Sequence, residues 1–285
     1  MNAGDWKRWY ADERRSLGEA RVSALLDRAP VIPLPPGGAL VFPHAKLAVC
    51  GSQVAAVAKA LIEARVEEVV ALGVLHGGRA SDAELVRAAK AGDPAARARM
   101  RRLHGPGADG DEGYWAEEFS LDNFKALLEI AAKRSGRRAP RVVERYPLLS
   151  GSGPGSLHGL DDLRPLLARG AALVATTDPV HHGHGYRTPA VRILDDKAPS
   201  TPRLVLEGVS RAFESLARRE YHDFLRECDE QQSDFRDTGP AMASLLEGAI
   251  LSRIAELCLV DYSDVLAAPR PTWVAAALAT FERDR

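Results

Sequence analysis

Five of the eight histidines in this sequence stand at the ends of apolar, strand-like runs or in the loop that follows one: His44, His76, His181, His182 and His184. Neutral imidazole is the commonest protein metal ligand, and Asp178 and Asp237 supply carboxylates to accompany it. Two histidines with one carboxylate make the facial triad of non-haem Fe(II) sites, which leaves positions open for substrate and O₂. The same donors around zinc, with a bound water, would instead serve hydrolysis. The residues come from separated loops, so no short motif joins them, and each has a plainer reading. A lone histidine after a strand commonly hydrogen-bonds within its loop. The His181-His182-Gly183-His184 run also reads as a solvated turn. Asp178 can cap the turn behind it, and Asp237 can N-cap a helix beginning at Pro240.

The elements that must position these groups follow from the apolar runs. Ala39-Leu40-Val41-Phe42 is a buried strand stopped by Pro43, which cannot donate to a sheet ladder, and His44 comes next. Gly51 and Ser52 open an alanine-rich helix over Val54 to Ala64, and a second strand from Glu68 to Gly73 runs out into Val74-Leu75-His76. This is a β-α-β unit with a histidine just past the carboxyl end of each strand, the edge at which open α/β sheets bind ligands. Asp12 to Arg28 reads as an amphipathic helix, Ser81 to Leu103 as a basic helix, and Glu117 to Ser120 as the start of another, with Ser120 its N-cap. Arg141 to Leu149 and Ala171 to Ala175 read as strands, with Leu160 to Leu167 a short helix between them. Leu204 to Gln231 reads as one long polar helix and Ala241 to Leu257 as an apolar one. Val274 to Ala279 looks helical on alanine propensity alone. The alternation of strands and helices predicts a single three-layer α/β domain over residues 1–285.

The 285 residues, 46% of them hydrophobic, suffice for one large core. A net charge of −1 gives no electrostatic ground for nucleic acid or an anionic membrane as partner. The basic stretch 81–103 lacks interleaved aromatic residues and reads as a solvated face. Cys50, Cys228 and Cys258 are odd in number and scattered, which argues against a disulfide framework or a zinc ribbon. With no apolar signal-peptide core and no membrane-length apolar run, a cytoplasmic protein is expected.

The motifs resemble the Memo family, relatives of the LigB-like class III extradiol dioxygenases, over nearly the whole chain. That family carries Pro-His-Ala-Gly-Tyr followed by Cys-Gly-Ser; here the matching residues are Pro43-His44-Ala45-Lys46-Leu47 and Cys50-Gly51-Ser52. Its Leu-Gly-Pro-Ser-His becomes Leu72-Gly73-Val74-Leu75-His76, and its Ser-Ser-Asp-Phe-x-His-x-Gly becomes Thr176-Thr177-Asp178-Pro179-Val180-His181-His182-Gly183. Its N-terminal Ala-Gly-x-Trp-Tyr is echoed by Ala3-Gly4-Asp5-Trp6 and Tyr10. The resemblance implies a central mixed sheet with helices on both faces, a single metal pocket, and a strand rather than a helix over Val274 to Phe281. It implies His44 and His76 as metal ligands, His181 as acid/base, and Asp178 as the group that orients it or binds substrate. Ungapped alignment back from Leu245-Leu246 puts Asp237 in the place of the third ligand, a carboxylate that favours iron over thiolate-loving copper.

Two departures bear on substrate. The family's Glu-His-Ser-(Leu/Ile)-Glu is Glu118-Phe119-Ser120-Leu121-Asp122, so a phenyl ring replaces a pocket imidazole. Lys46 adds a cation that either receives a carboxylate substrate or faces solvent. The expectation is a mononuclear Fe(II) oxygenase with His44, His76 and Asp237 on the metal (zinc or copper the other candidates), His181 and Asp178 in catalysis, and Lys46, Phe119 and His182 toward substrate. Its partners would be a small aromatic or related molecule and O₂, with homo-oligomerisation left open. A non-catalytic Memo-like scaffold is the alternative and a zinc-dependent hydrolase a third reading.

Overall fold

The computed structural model describes residues 2–77, 82–248 and 250–284. The first apolar run forms β1 (Ala39–Phe42), preceded by α1 (Ala3–Ala24), which kinks at Gly18. Helix α2 (Leu47–Glu63) crosses over to β2 (Glu68–Leu72). The basic stretch is two short helices, α3 (Ala83–Ala91) and α4 (Pro94–Met100), because Gly92 takes a left-handed conformation and Asp93 caps a new start at Pro94. Ser81, the expected start, lies outside the described residues. After β3 (Leu103–His104) come α5 (Asp122–Arg134), β4 (Arg141–Pro147), α6 (Arg164–Ala168), β5 (Ala172–Thr176) and β6 (Val180–Gly183).

Two sequence expectations fail in the C-terminal third. The long polar helix is α7 (Thr201–Ala217) and α8 (Tyr221–Gln231), parted where Arg219 adopts a positive φ of 60°. The apolar helix to Leu257 is only α9 (Phe235–Leu245); Ile250–Asp261 is strand β7, followed by α10 (Ser263–Leu266) and β8 (Thr272–Arg283). Strand β8 overrides its own alanine propensity because it is hydrogen-bonded along both edges. It pairs antiparallel with β7 on one side and with β1 and β6 on the other.

The sheet runs β3-β4-β2-β5-β1-β8-β6, with β7 added on β8, and is mixed: β4, β2, β5 and β1 are parallel and β8 opposes them. Alternation along each strand sorts the apolar residues into two cores. Val41, Val70, Leu72, Leu173 and Ala175 face a layer with α7, α8 and α9. Leu40, Phe42, Val69, Ala71 and Val174 face α2 and α5. The chain is thus a three-layer α/β domain with helices on both faces of a central mixed sheet. Among the described residues no helix is long and apolar enough to cross a membrane.

The strand order has a direct consequence for chemistry. Because β5 lies between β2 and β1, the residues leaving the carboxyl ends of all three emerge side by side. Those residues are His76, Asp178 and His44.

Candidate metal centre

His44 follows Pro43 off the end of β1 and is buried, its backbone N–H donating to Asp178 Oδ1 at 3.2 Å. Its Nδ1 is 3.1 Å from the Thr176 hydroxyl, which leaves Nε2 facing the space above the strand ends. His76 is held by Glu118. One carboxylate oxygen accepts from the His76 backbone N–H at 2.7 Å, and the other lies 2.9 Å from Nδ1. A carboxylate can only accept, so Nδ1 carries the hydrogen and Nε2 presents a lone pair. The ring centroids of His44 and His76 are 5.0 Å apart.

The carboxylate that faces both imidazoles is Asp234, from the turn between α8 and α9. Its Oδ1 accepts from the Thr177 hydroxyl and the Asp178 backbone N–H, both at 2.8 Å. That grip aims Oδ2 at three Nε2 atoms: His44 at 3.1 Å, and His76 and His181 at 4.0 Å each. Oδ2 is buried, yet it makes no hydrogen bond of regular geometry. A buried anionic oxygen needs a positive partner, and this one, ringed by imidazole nitrogens, suits a cation: the imidazolium of His44 or a metal ion that replaces its proton. One donor atom each from His44, His76 and Asp234 lie within 4.8 Å of one another, and so do those of Asp178, His181 and Asp234.

The electrostatics match. Burial opposes a proton on His44, but Asp178 and Asp234 outweigh it and raise the pKa to about 9. Burial likewise opposes the charge on Asp234, and the facing imidazoles overcome it, holding the carboxyl well below the usual carboxylate range. Burial pushes Asp178 up. Glu118 is held below its ordinary value, burial being outweighed by His76 and by backbone N–H donors.

The remaining expected site residues divide. His181, on β6, donates from Nδ1 to the Gln232 carbonyl at 2.8 Å, so its Nε2 is the free acceptor, and Tyr186 packs against its ring. Phe119 is a wall of the site, stacked 4.5 Å from His76 on one side and 5.2 Å from Tyr10 on the other. His182, one residue along the strand from His181, points to the opposite face. It stacks on Trp273 and accepts from the Leu194 N–H at 2.7 Å. Lys46 does not open onto the imidazoles: its ammonium donates to the Asp261 carbonyl and lies over the Tyr262 ring. Asp237 is not in either donor group. It accepts from the Ser150 backbone N–H at 2.8 Å and lines a separate 380 Å³ cavity with Lys90, Arg97 and Arg236. Ser120, expected to cap α5, instead bridges to Val74, donating to its carbonyl and accepting from its N–H.

Sequence reasoning missed Asp234 and Glu118. Asp234 ends the polar run Glu230-Gln231-Gln232-Ser233-Asp234, which carries no signal of its own in the stretch between the two helices read at Leu204 to Gln231 and from Pro240. The signal for Glu118 was the Glu-Phe-Ser-Leu-Asp segment, read for its missing histidine rather than for its retained carboxylate. No protein-family model and no curated protein matches this chain.

Proposed function

We propose that the chain is a mononuclear non-haem Fe(II) oxygenase of the Memo/LigB-like superfamily, acting on a small aromatic or related molecule. The observation that carries this reading is the buried Oδ2 of Asp234, which makes no hydrogen bond of regular geometry and faces the Nε2 atoms of His44 and His76. His44, His76 and Asp234 form a two-histidine, one-carboxylate set that fits ferrous iron better than thiolate-seeking copper. Zinc is the next candidate for the same donors. When bound, the ion would supply open coordination positions and one-electron chemistry with O₂. Glu118 fixes the His76 tautomer, and the Thr177 hydroxyl and Asp178 backbone fix Asp234. His181, whose Nε2 reaches the same space, moves a proton at the reacting centre with Asp178 beside it. Phe119, backed by Tyr10, gives substrate an apolar wall. A cytoplasmic setting agrees with three unpaired cysteines.

Anaerobic purification followed by iron analysis tests the reading. Stoichiometric iron lost in His44→Ala supports it; no divalent metal in the wild type, or undiminished metal in the variant, overturns it. A second reading, a non-catalytic Memo-like binding module, is favoured by Phe119, which removes a polar group from beside the metal ligands. Oxygen uptake across phenols, catechols and aminophenols separates the two, since a binding module consumes none. Hydrolysis of chromophoric esters by the zinc-loaded protein would point to the hydrolase instead.

A further inference from the structure

Asp234 belongs to two donor groups at once, and its Oδ2 faces Nε2 atoms of both. His44 and His76 make up one with it, Asp178 and His181 the other. We propose that the Asp178–His181 side holds a second divalent cation, with the Asp234 carboxylate bridging it to the first. This rests on the reading of the first site as a metal centre.

Three observations carry it. First, the Gln232 carbonyl accepts from His181 Nδ1, so neutral His181 offers a lone pair at Nε2, 4.0 Å from Asp234 Oδ2. Second, Oδ2 is buried with no regular hydrogen bond, while Oδ1 is held by two donors. The carboxylate is therefore rigidly presented to both histidine groups and not turned to solvent. Third, Asp178, Asp234 and Glu118 bring three carboxylates to one buried place. Among the described residues neither lysine nor arginine pairs with any of them. One divalent ion leaves that charge incompletely balanced; a second reverses it. Carboxylate-bridged ions in two-metal sites lie roughly 3.5–4 Å apart, a separation that donor groups sharing one carboxylate can span. The mixed nitrogen and oxygen donors select Mn(II), Fe(II) or Zn(II).

The second ion would occupy the His181 Nε2 that proton transfer needs. The singly loaded protein is then the active form, and excess divalent metal inhibits it.

Titration of metal-free protein with Mn(II), followed by calorimetry and electron paramagnetic resonance, tests the proposal. The wild type should bind two ions with a spin-coupled pair signal at saturation. Asp178→Asn and His181→Asn should each bind one ion and lose that signal. In Asp178→Asn an amide oxygen still accepts from the His44 N–H, and in His181→Asn an amide N–H can still reach the Gln232 carbonyl. A wild type that saturates at one ion overturns the second site and leaves the first standing, whatever the variants do. Should His181→Asn weaken that lone ion more than tenfold, His181 is a fourth ligand of one centre. Two ions retained in His44→Ala, or none in the wild type, would remove the first site too.

Discussion

Glu118 grips His76 at two points, accepting from its backbone N–H through one oxygen and facing Nδ1 with the other, while the Phe119 and Ser120 N–H groups donate to that same carboxylate. The carboxylate thereby dictates which imidazole nitrogen is left for a metal. In Glu118→Gln either placement of the amide sets its NH₂ against backbone N–H donors, those of Phe119 and Ser120 or that of His76, so the grip that orients the imidazole is loosened. Outer-shell changes of this kind cost about 10–100-fold in metal affinity. We expect a loss in that range, measured by competition with a chromophoric chelator, together with a stability loss of about 1–3 kcal/mol in the metal-free protein from the N–H donor left without an acceptor.

The half of the site that was legible in sequence is the half set by strand ends. Phe42-Pro43-His44 and Leu72 to His76 state both the strand and its stop, and the right-handed crossover leaves little choice of where the two imidazoles go. The third donor was not legible because it depends on where a helix begins. Counting back without gaps from Leu245-Leu246 reached Asp237, but α9 starts at Phe235, and the carboxylate that faces the imidazoles is one helical turn earlier, at Asp234. β7 escaped notice for a related reason. Its apolar residues alternate only weakly, since Leu251 lies exposed and Ile254 half-covered on an outer strand, and the run from Ala241 reads as continuous apolar helix. Partners on both edges of β8, not its composition, make that alanine run a strand.

The contrast between the two aspartates is itself testable. Asp234→Asn replaces the carboxylate that faces the imidazoles with a neutral amide and should abolish stoichiometric binding of Fe(II) or Zn(II). Asp237→Asn should leave metal stoichiometry unchanged, because its carboxylate faces Ser150 and not the imidazoles. Its cost should be about 1 kcal/mol in stability, the amide oxygen still being able to accept from the Ser150 N–H. Metal analysis and urea unfolding of both variants check the pair.

His104, which is in neither donor group, sets a pH limit of its own. Its side chain is fully buried, Nε2 lies 3.0 Å from the Met100 carbonyl, and the ring packs edge-on to Tyr114. Burial lowers its pKa, and the Asp111 carboxylate 3.9 Å away does not reverse this. The folded protein therefore binds this proton less readily than the unfolded chain. As pH falls through the ordinary histidine value of about 6.5, the unfolded state takes up more protons, and stability drops with a limiting slope of about 1.4 kcal/mol per pH unit. The loss continues down to the lower pKa of the folded state and is absent at higher pH. Urea unfolding from pH 7.5 to 5 in wild type and His104→Leu isolates the term: the difference between the two profiles should slope in that window and be flat above it.

Behind the Phe119 wall, the hydroxyls of Tyr10 and Tyr262 lie 2.6 Å apart with both rings buried. They come from elements at opposite ends of the chain, so this contact fastens α1 to the turn after β7 and supports the ring stacked on Phe119. Burial drives both phenols well above their ordinary pKa, so each stays neutral and each needs the other as partner. Removing one hydroxyl strands the other: Tyr10→Phe and Tyr262→Phe should each cost about 1–3 kcal/mol. The double variant should cost clearly less than their sum, because it leaves neither oxygen unpaired, with a coupling of about 0.5–3 kcal/mol. Strictly additive losses in thermal unfolding would mean that the two hydroxyls do not depend on each other. The stacked Phe119 would then owe its position to packing alone.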